Sequence, residues 1–365
     1  MRFSCCLLLL FAGISCFSQS RERLKEKSFN PAAFEEFKIE IKTGKKDKPL
    51  EVHYKAAQFI DGRADTSKLG FVLAGANTEY HRVVFPKPAA TYMTEKTIPF
   101  LSNGSANNGN LTFVLKHLWV SEVIVKATFG KSLLTGPIDY LSFCYLNSDC
   151  YSSVNGEYTL LGNIDTVISI KRWMVGAGED LLKKTLIDLL QTGDSLFVLQ
   201  TKKNEPISYD ALIKKTQADF DLPILKSSQP ERGIYMTYAD FLNNNPSIKE
   251  FNVIKDKKTE SLISIGLDDS LLNKAWGYYD GTDLNIHINN NYYRVVRSHN
   301  TFEIAGPRKL DKFYGTNDKI INASVATFFS GIAAGGFTLL VMGSTNKIMK
   351  ELIPYQLNIR DGALY

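Results

Sequence analysis

The chain lacks most of the residue patterns by which enzymes are recognised from sequence. It has five histidines in 365 residues, and no two of them have the spacing of a zinc-binding pair. There is no Gly-x-Ser-x-Gly segment, and the Gly130-Lys-Ser triplet lacks the glycine that a phosphate-binding loop needs five residues earlier. The sequence therefore predicts no catalytic residue, no metal site and no cofactor, which favours a non-enzymatic protein.

Cysteine is equally scarce, and three of the five cysteines fall within residues 1–18. This segment has a positive charge at Arg2, an apolar centre from Cys5 to Ile14, and small residues leading to Ser18. That pattern is typical of a cleaved secretory signal peptide. It predicts an extracytoplasmic location, in the periplasm or cell envelope. Lipidation of Cys16 is the alternative interpretation of the same segment.

Outside this leader the remaining cysteines are Cys144 and Cys150, separated by Tyr-Leu-Asn-Ser-Asp. A pair of cysteines in an oxidising compartment favours a disulfide, which here would close a small loop. Two unpaired thiols are the first alternative. A redox or metal-binding role is the second, although redox-active pairs prefer the Cys-x-x-Cys spacing.

The charge balance gives little sign of a nucleic-acid partner. Lys and Arg number 43 against 38 Asp and Glu, a formal net charge of +5. The surplus is spread along the chain, and the basic run from Lys42 to Lys48 is interrupted by turn residues, as in a solvated loop. Hydrophobic residues make up 44% of the chain, which is enough for packed cores and excludes global disorder.

The hydrophobic periodicity predicts an α+β fold that is mostly antiparallel β, with two β-rich domains and a few covering helices. Residues 19–204 form the first domain, which contains an amphipathic helix from Gly178 to Gly193. Residues 205–230 are predicted to be a linker, on the basis of their Pro and Ser content. Residues 231–365 show short alternating runs separated by turn residues, the pattern of a β-meander.

The end of the chain carries two further signals. Residues 320–343 contain no charged residue and are long enough to cross a bilayer, which predicts an apolar helical segment and membrane contact through Ile320 to Gly343. A buried core helix, or two short segments broken at Gly335, are the alternatives. The following stretch, Ile353–Tyr365, resembles a strand–turn–strand that would rejoin the second domain.

One polar cluster, formed by Asp61, Arg63 and Asp65, stands out from the strand-rich sequence around it. Two carboxylates on one tight segment could bind a cation, but a calcium loop would place an acidic or amide residue where Arg63 stands. A charged turn with an internal ion pair is the simpler interpretation.

Several segments together resemble uncharacterised exported envelope proteins of the Bacteroidetes. These segments are the leader ending in Ser-Gln, the stretch Phe59–Asp65, the stretch Gly233–Pro246 and the Ile359-Arg-Asp-Gly tail. The resemblance implies an envelope location. It implies no activity and no catalytic residues.

Three functions are consistent with these features. The first is a non-enzymatic exported envelope protein with a binding or structural role, whose partner is another envelope protein or a surface polymer. The second is a periplasmic or surface hydrolase of glycan or peptide, with carboxylates distant in sequence; a pocket holding two carboxylates with opposed pKa shifts would favour it. The third is a single-pass membrane-tethered sensor or anchor.

Overall fold

The computed structural model describes residues 29–44, 47–74, 79–101, 109–127, 138–172, 178–199, 204–255, 262–265, 274–288, 291–307 and 352–365. The predicted leader, residues 1–18, and the predicted apolar helix, residues 320–343, lie outside these ranges. Within these ranges no helix combines the length and hydropathy needed to span a membrane.

The described chain is mostly strand, with a few helices. The strands are β1 (Glu36–Lys38), β2 (Ala57–Asp61), β3 (Gly70–Ala74), β4 (Glu79–Val84), β5 (Asn110–Ala127), β6 (Ile138–Val154), β7 (Glu157–Arg172), β8 (Ile207–Ser208), β9 (Gly233–Tyr235), β10 (Asn252–Lys255), β11 (Leu262–Ile265), β12 (Gly277–Tyr279), β13 (Leu284–Ile288), β14 (Asn291–Ser298), β15 (Thr301–Pro307) and β16 (Leu352–Leu357). The helices are α1 (Ala89–Thr97), α2 (Gly178–Leu199), α3 (Tyr209–Ala218), α4 (Pro223–Lys226) and α5 (Tyr238–Leu242).

The first sheet has eight strands in the order β1-β4-β3-β5-β6-β7-β8, with β2 beside β5. Strands β5, β6 and β7 form a long antiparallel meander, whereas β2 and β3 both run parallel to β5 along its other edge. The predicted fold, β-rich and mostly antiparallel with a few helices, is therefore confirmed. The predicted apolar helix has no counterpart among the described helices.

Both faces of the first sheet are covered, as the alternation along β6 demonstrates. Cys144 and Leu146 belong to the hydrophobic cluster that α1 and α2 complete on one face. Phe143 and Tyr145 belong to the cluster shared with the second sheet on the other face. Because side chains alternate between faces, a strand covered on both sides carries apolar residues at odd and even positions alike.

Helix α2 forms where the amphipathic pattern predicted it, but it does not end at Gly193. Its buried stripe includes Leu181, Leu186 and Leu189, and the helix continues to Leu199. Gly193 instead lies where the helix approaches the sheet most closely, because a Cβ atom there would be 2.6 Å from Phe113 Cζ. The glycine permits close packing rather than terminating the helix.

The predicted β-meander of the second domain is present. Six strands run in the order β16-β15-β14-β13-β12-β9, and every pair is antiparallel. The tail rejoins this sheet as expected: β16 pairs with β15, and Gln356 and Tyr365 exchange two backbone hydrogen bonds of 3.0 Å.

The two sheets share one hydrophobic cluster that is rich in aromatic side chains. Its aromatic members include Phe71, Trp119, Tyr145, Tyr235, Phe241, Phe302, Tyr355 and Tyr365. Residues 205–230 carry β8, α3 and α4, and Ile224 of α4 is buried in the same cluster. The division into two domains stays a prediction, while the packing joins the two sheets face to face.

The predicted disulfide between Cys144 and Cys150 is wrong, because both thiols are free. The two residues lie six positions apart on one continuous strand, β6. An extended strand rises about 3.3 Å per residue, so their Cα atoms are about 20 Å apart, whereas a disulfide needs about 4.4–6.8 Å. Sequence reasoning took a strand interior for a loop.

Replacing Gly193 by alanine is expected to destabilise the protein. Overpacking against Phe113 costs about 1–3 kcal/mol, which exceeds the roughly 1 kcal/mol gained in helix propensity. Urea unfolding measures the effect. Ser195→Ala, at an exposed position of the same helix, is the control, and a change of less than about 0.5 kcal/mol is expected there. Equal stability of the two variants would contradict close packing at Gly193.

Candidate functional site

The predicted polar cluster extends from Asp61, the last residue of β2, into the loop before β3, and its members separate into two groups. Arg63 forms a bidentate ion pair with Asp61, with Nε–Oδ1 and Nη2–Oδ2 distances of 2.8 Å. Arg63 Nη1 also donates to the carbonyl oxygen of Lys68 at 2.7 Å. These bonds satisfy the guanidinium within the loop, so Asp61 and Arg63 form the internal ion pair that shapes the turn.

Asp65 instead joins a group that sequence reasoning missed. Lys68 Nζ lies 2.6 Å from Asp65 Oδ2 and 2.8 Å from Glu303 Oε1 on β15. Ser298 Oγ lies 2.9 Å from Lys68 Nζ and 3.0 Å from Asp65 Oδ2. We name Asp65, Lys68, Ser298 and Glu303 the seam cluster, because it connects the first sheet to the second.

The seam cluster is withdrawn from solvent. The side chains of Asp65 and Glu303 are 0% exposed and that of Lys68 is 3% exposed. His299 borders the cluster from outside, with Nε2 3.8 Å from Asp65 Oδ1 and a side chain that is 60% exposed. Two buried carboxylates thus share one ammonium group. When both are ionised, the cluster carries a net charge of about −1.

The surroundings shift the two carboxylates in opposite directions. Burial alone would raise the pKa of Asp65, but the charge of Lys68 and hydrogen bonds from Lys68 and Ser67 lower it below its usual range. Burial raises the pKa of Glu303 to about 7. The charge of Lys68 lowers this pKa and the charge of Asp65 raises it, but burial is the largest effect. A proton on Glu303 removes the excess negative charge.

A second polar contact ties the C-terminal tail to the first sheet. Arg360 Nε donates to Asp219 Oδ2 at 2.6 Å, and its two Nη atoms donate to the carbonyl oxygens of Lys116 and Gly62 at 2.9 and 3.0 Å. The guanidinium also lies over the ring of Phe220. The tail is therefore held by the β2–β3 loop, by β5 and by the segment after α3.

The two thiols are structural. Burial raises the pKa of both Cys144 and Cys150 to about 12. Because the thiolate is the reactive form of cysteine, these thiols are suited to packing and not to redox chemistry. Within the described ranges, no group of three His, Cys, Asp or Glu side chains is arranged to hold a metal ion.

A groove of about 560 Å³ lies between α2 and β7. Apolar side chains line it: Leu146, Ile164, Ile168, Leu189 and Leu196. Polar residues complete the lining: Asn163, Asp165, Thr166, Asp188, Gln191 and Thr192. This volume falls within the range of small-molecule pockets, so we take the groove as a candidate binding site.

No family model matches the chain, and no curated protein matches it significantly. Among solved structures, the chain is similar to the crystal structure of protein XCC0632 from Xanthomonas campestris, described as family DUF330. The TM-score is 0.27 and the identity 9%, over 46% of this chain and 98% of that chain. A TM-score of this size supports no inference about fold or function. The resemblance to exported Bacteroidetes proteins stays a prediction.

Lys68→Met is expected to destabilise the protein strongly. It leaves Asp65 and Glu303 as buried carboxylates without a counter-charge, and breaking such a buried pair costs about 3–5 kcal/mol. Chemical denaturation measures the loss. Lys184→Met is the matched control, because the Lys184–Asp188 pair lies half-exposed on α2 and is worth about 0.5 kcal/mol or less. Equal costs for the two lysines would refute the role of the seam cluster.

The pH dependence of stability is expected to carry the signature of Glu303. The pKa of Glu303 is about 7 in the folded protein, above the usual 4.5. Its protonation therefore contributes to the free energy of unfolding, fully below pH 4.5, and this contribution is lost as the pH rises through 7. The loss is about 3 kcal/mol. The lowered pKa of Asp65 has the opposite sign, since its contribution is lost as the pH falls below its usual value of 3.8.

Glu303→Gln is the variant that isolates the first effect. Urea unfolding of this variant and of the wild type at a series of pH values should give curves that diverge between pH 4.5 and 7, with the wild type losing more stability. Parallel curves across that interval would show that Glu303 titrates normally in the folded protein.

Proposed function

We propose that the protein is exported to the cell envelope and acts there as a non-enzymatic binding or interaction protein. The observation that supports the interaction role is the groove between α2 and β7, whose lining combines apolar and polar residues, as binding sites do. The export rests on the leader in residues 1–18. The expected partner is an envelope protein or a surface polymer.

The hydrolase alternative has one observation in its favour. Asp65 and Glu303 have opposed pKa shifts, which is how acid and base are distinguished in many active sites. However, both carboxylates are 0% exposed and both are bound to Lys68. A substrate cannot reach either oxygen without separating the two sheets, so we assign the pair to structure rather than to catalysis.

The membrane-anchor alternative depends on residues 320–343. These residues lie outside the described ranges, so the membrane contact through Ile320 to Gly343 stays a prediction from composition.

In-cell photo-crosslinking tests the interaction role. A photoreactive phenylalanine analogue at Thr192, which borders the groove, is expected to form a crosslinked product in intact cells that express the full chain. The same analogue at Ser195, which is exposed one turn along α2, is the matched control and should form little. The crosslinked product must cofractionate with the envelope.

Two outcomes would contradict the proposal. One is the absence of any groove-specific product under conditions in which the labelled protein accumulates. The other is recovery of the product from the cytosol with residues 1–18 still attached.

A further inference from the structure

The seam cluster holds an amine against a carboxyl group where solvent is excluded. Lys68 Nζ lies 2.8 Å from Glu303 Oε1, and the two side chains are 3% and 0% exposed. The carboxyl carbon of Glu303 is bonded to that oxygen, so nitrogen and carbon are neighbours. The ring of Phe71 lies 5.9 Å from the same nitrogen. Desolvation is one means by which proteins make a lysine amine nucleophilic, and well-oriented groups react at effective concentrations of about 10⁵–10⁸ M.

The two carboxyl groups of the cluster are suited to different roles. The pKa of Glu303 is raised to about 7, so at neutral pH much of it is the neutral acid, the form that an amine attacks. The pKa of Asp65 is lowered, and its Oδ2 lies 2.6 Å from Lys68 Nζ. Asp65 is therefore placed to accept a proton from the ammonium group. Ser298 Oγ contacts both Lys68 and Asp65 and fixes their orientation.

Hydrogen bonds of the backbone hold the segments that carry these groups. Leu69, next to Lys68, donates to the carbonyl oxygen of Val83 at 2.7 Å. Glu303 lies within β15, which pairs with β14 on one side and with β16 on the other. Asn300 donates to the carbonyl oxygen of Ala64 at 3.2 Å and joins the two segments directly. The contact between amine and carboxyl group is thus built into the fold.

We propose that Lys68 and Glu303 condense to an isopeptide bond that joins the loop before β3 to β15, with Asp65 as the proton acceptor. The bond would fix the first sheet to the second covalently. This inference goes beyond the proposed function and does not depend on the groove.

The reaction conserves atoms and charge without a co-reactant. The Lys68 ammonium gives one proton to the Asp65 carboxylate, and the amine lone pair then forms a bond to the carboxyl carbon of Glu303. The C–OH bond of the tetrahedral intermediate breaks, and the hydroxyl leaves as water with a second proton from the nitrogen. The products are a neutral amide, one water molecule and a protonated Asp65.

Bond formation changes how the seam cluster titrates. The pH dependence expected of Glu303 belongs to the chain before the reaction, because an amide has no titrating proton in that range. The mass of the chain distinguishes the two forms, so stability can be measured on each.

Mass spectrometry of the full chain tests the bond. The chain is recovered unfolded in urea, refolded slightly below neutral pH and sampled over several days. Its mass should fall by one water molecule, and trypsin should release the peptide of Lys68 joined to the peptide of Glu303. A sample kept in urea should retain its full mass, because the reaction needs the folded geometry.

Three variants assign the roles of the side chains. Lys68→Arg keeps the positive charge but replaces the amine by a poor nucleophile, so this variant should keep its full mass. Asp65→Asn removes the proton acceptor and should slow bond formation about 10²-fold or more. Lys184→Arg, on the half-exposed pair of α2, is the matched control and should form the bond as the wild type does. Circular dichroism establishes that each variant is folded.

The inference is overturned if the refolded wild type keeps its full mass and releases the two peptides separately. A bond from Lys68 to Asp65 would also overturn it, since both residues follow Arg63 in one tryptic peptide and no joined pair would appear. An unchanged rate in Asp65→Asn would remove the role of Asp65. The wild-type masses decide the outcome even where a variant fails to fold.

Discussion

The arrangement of the two sheets depends on one buried ammonium group. Lys68 Nζ lies within ion-pair distance of Asp65 and of Glu303, which come from the loop after β2 and from β15. Buried ion pairs add little net stability, because desolvation offsets the attraction, but an unpaired buried charge is costly. The aromatic cluster supplies the apolar area between the sheets. The seam cluster restricts how the sheets can be placed, since a shift that separates Lys68 from Asp65 leaves two buried charges uncompensated and one that separates it from Glu303 leaves that buried carboxyl group without its partner.

The coverage of the first sheet explains where a partner can bind. Helices α1 and α2 pack on one face and the second sheet packs on the other, and the groove lies on the first of these faces, where α2 meets β7. The buried carboxylates, which would be the first choice for chemistry on pKa grounds, lie inside this assembly. Outside this buried region, the groove between α2 and β7 is the candidate binding site.

Part of the fold could be predicted because its signals are local. The apolar stripe from Leu181 to Leu190 predicted α2, and the alternating runs after residue 231 predicted the meander. The centre of β6 could not be predicted. Ser148 and Asp149 belong to the stretch that was predicted to be a small loop, but Ser148 Oγ donates to the carbonyl oxygen of Val114 and Asp149 pairs with Lys116 on the neighbouring strand. Cross-strand partners that lie far along the chain turned an apparent loop into strand.

The sequence alone determined the elements that depend on neighbouring residues: the amphipathic helix, the antiparallel meander, the returning tail and the Asp61–Arg63 ion pair. Only the tertiary structure decided that Asp65 belongs to Lys68 and Glu303, and that Gly193 permits close packing. The physical reason is that burial and counter-charge are properties of the folded assembly. Residues 65 and 303 become neighbours, and their pKa values separate, only after two sheets have excluded water between them.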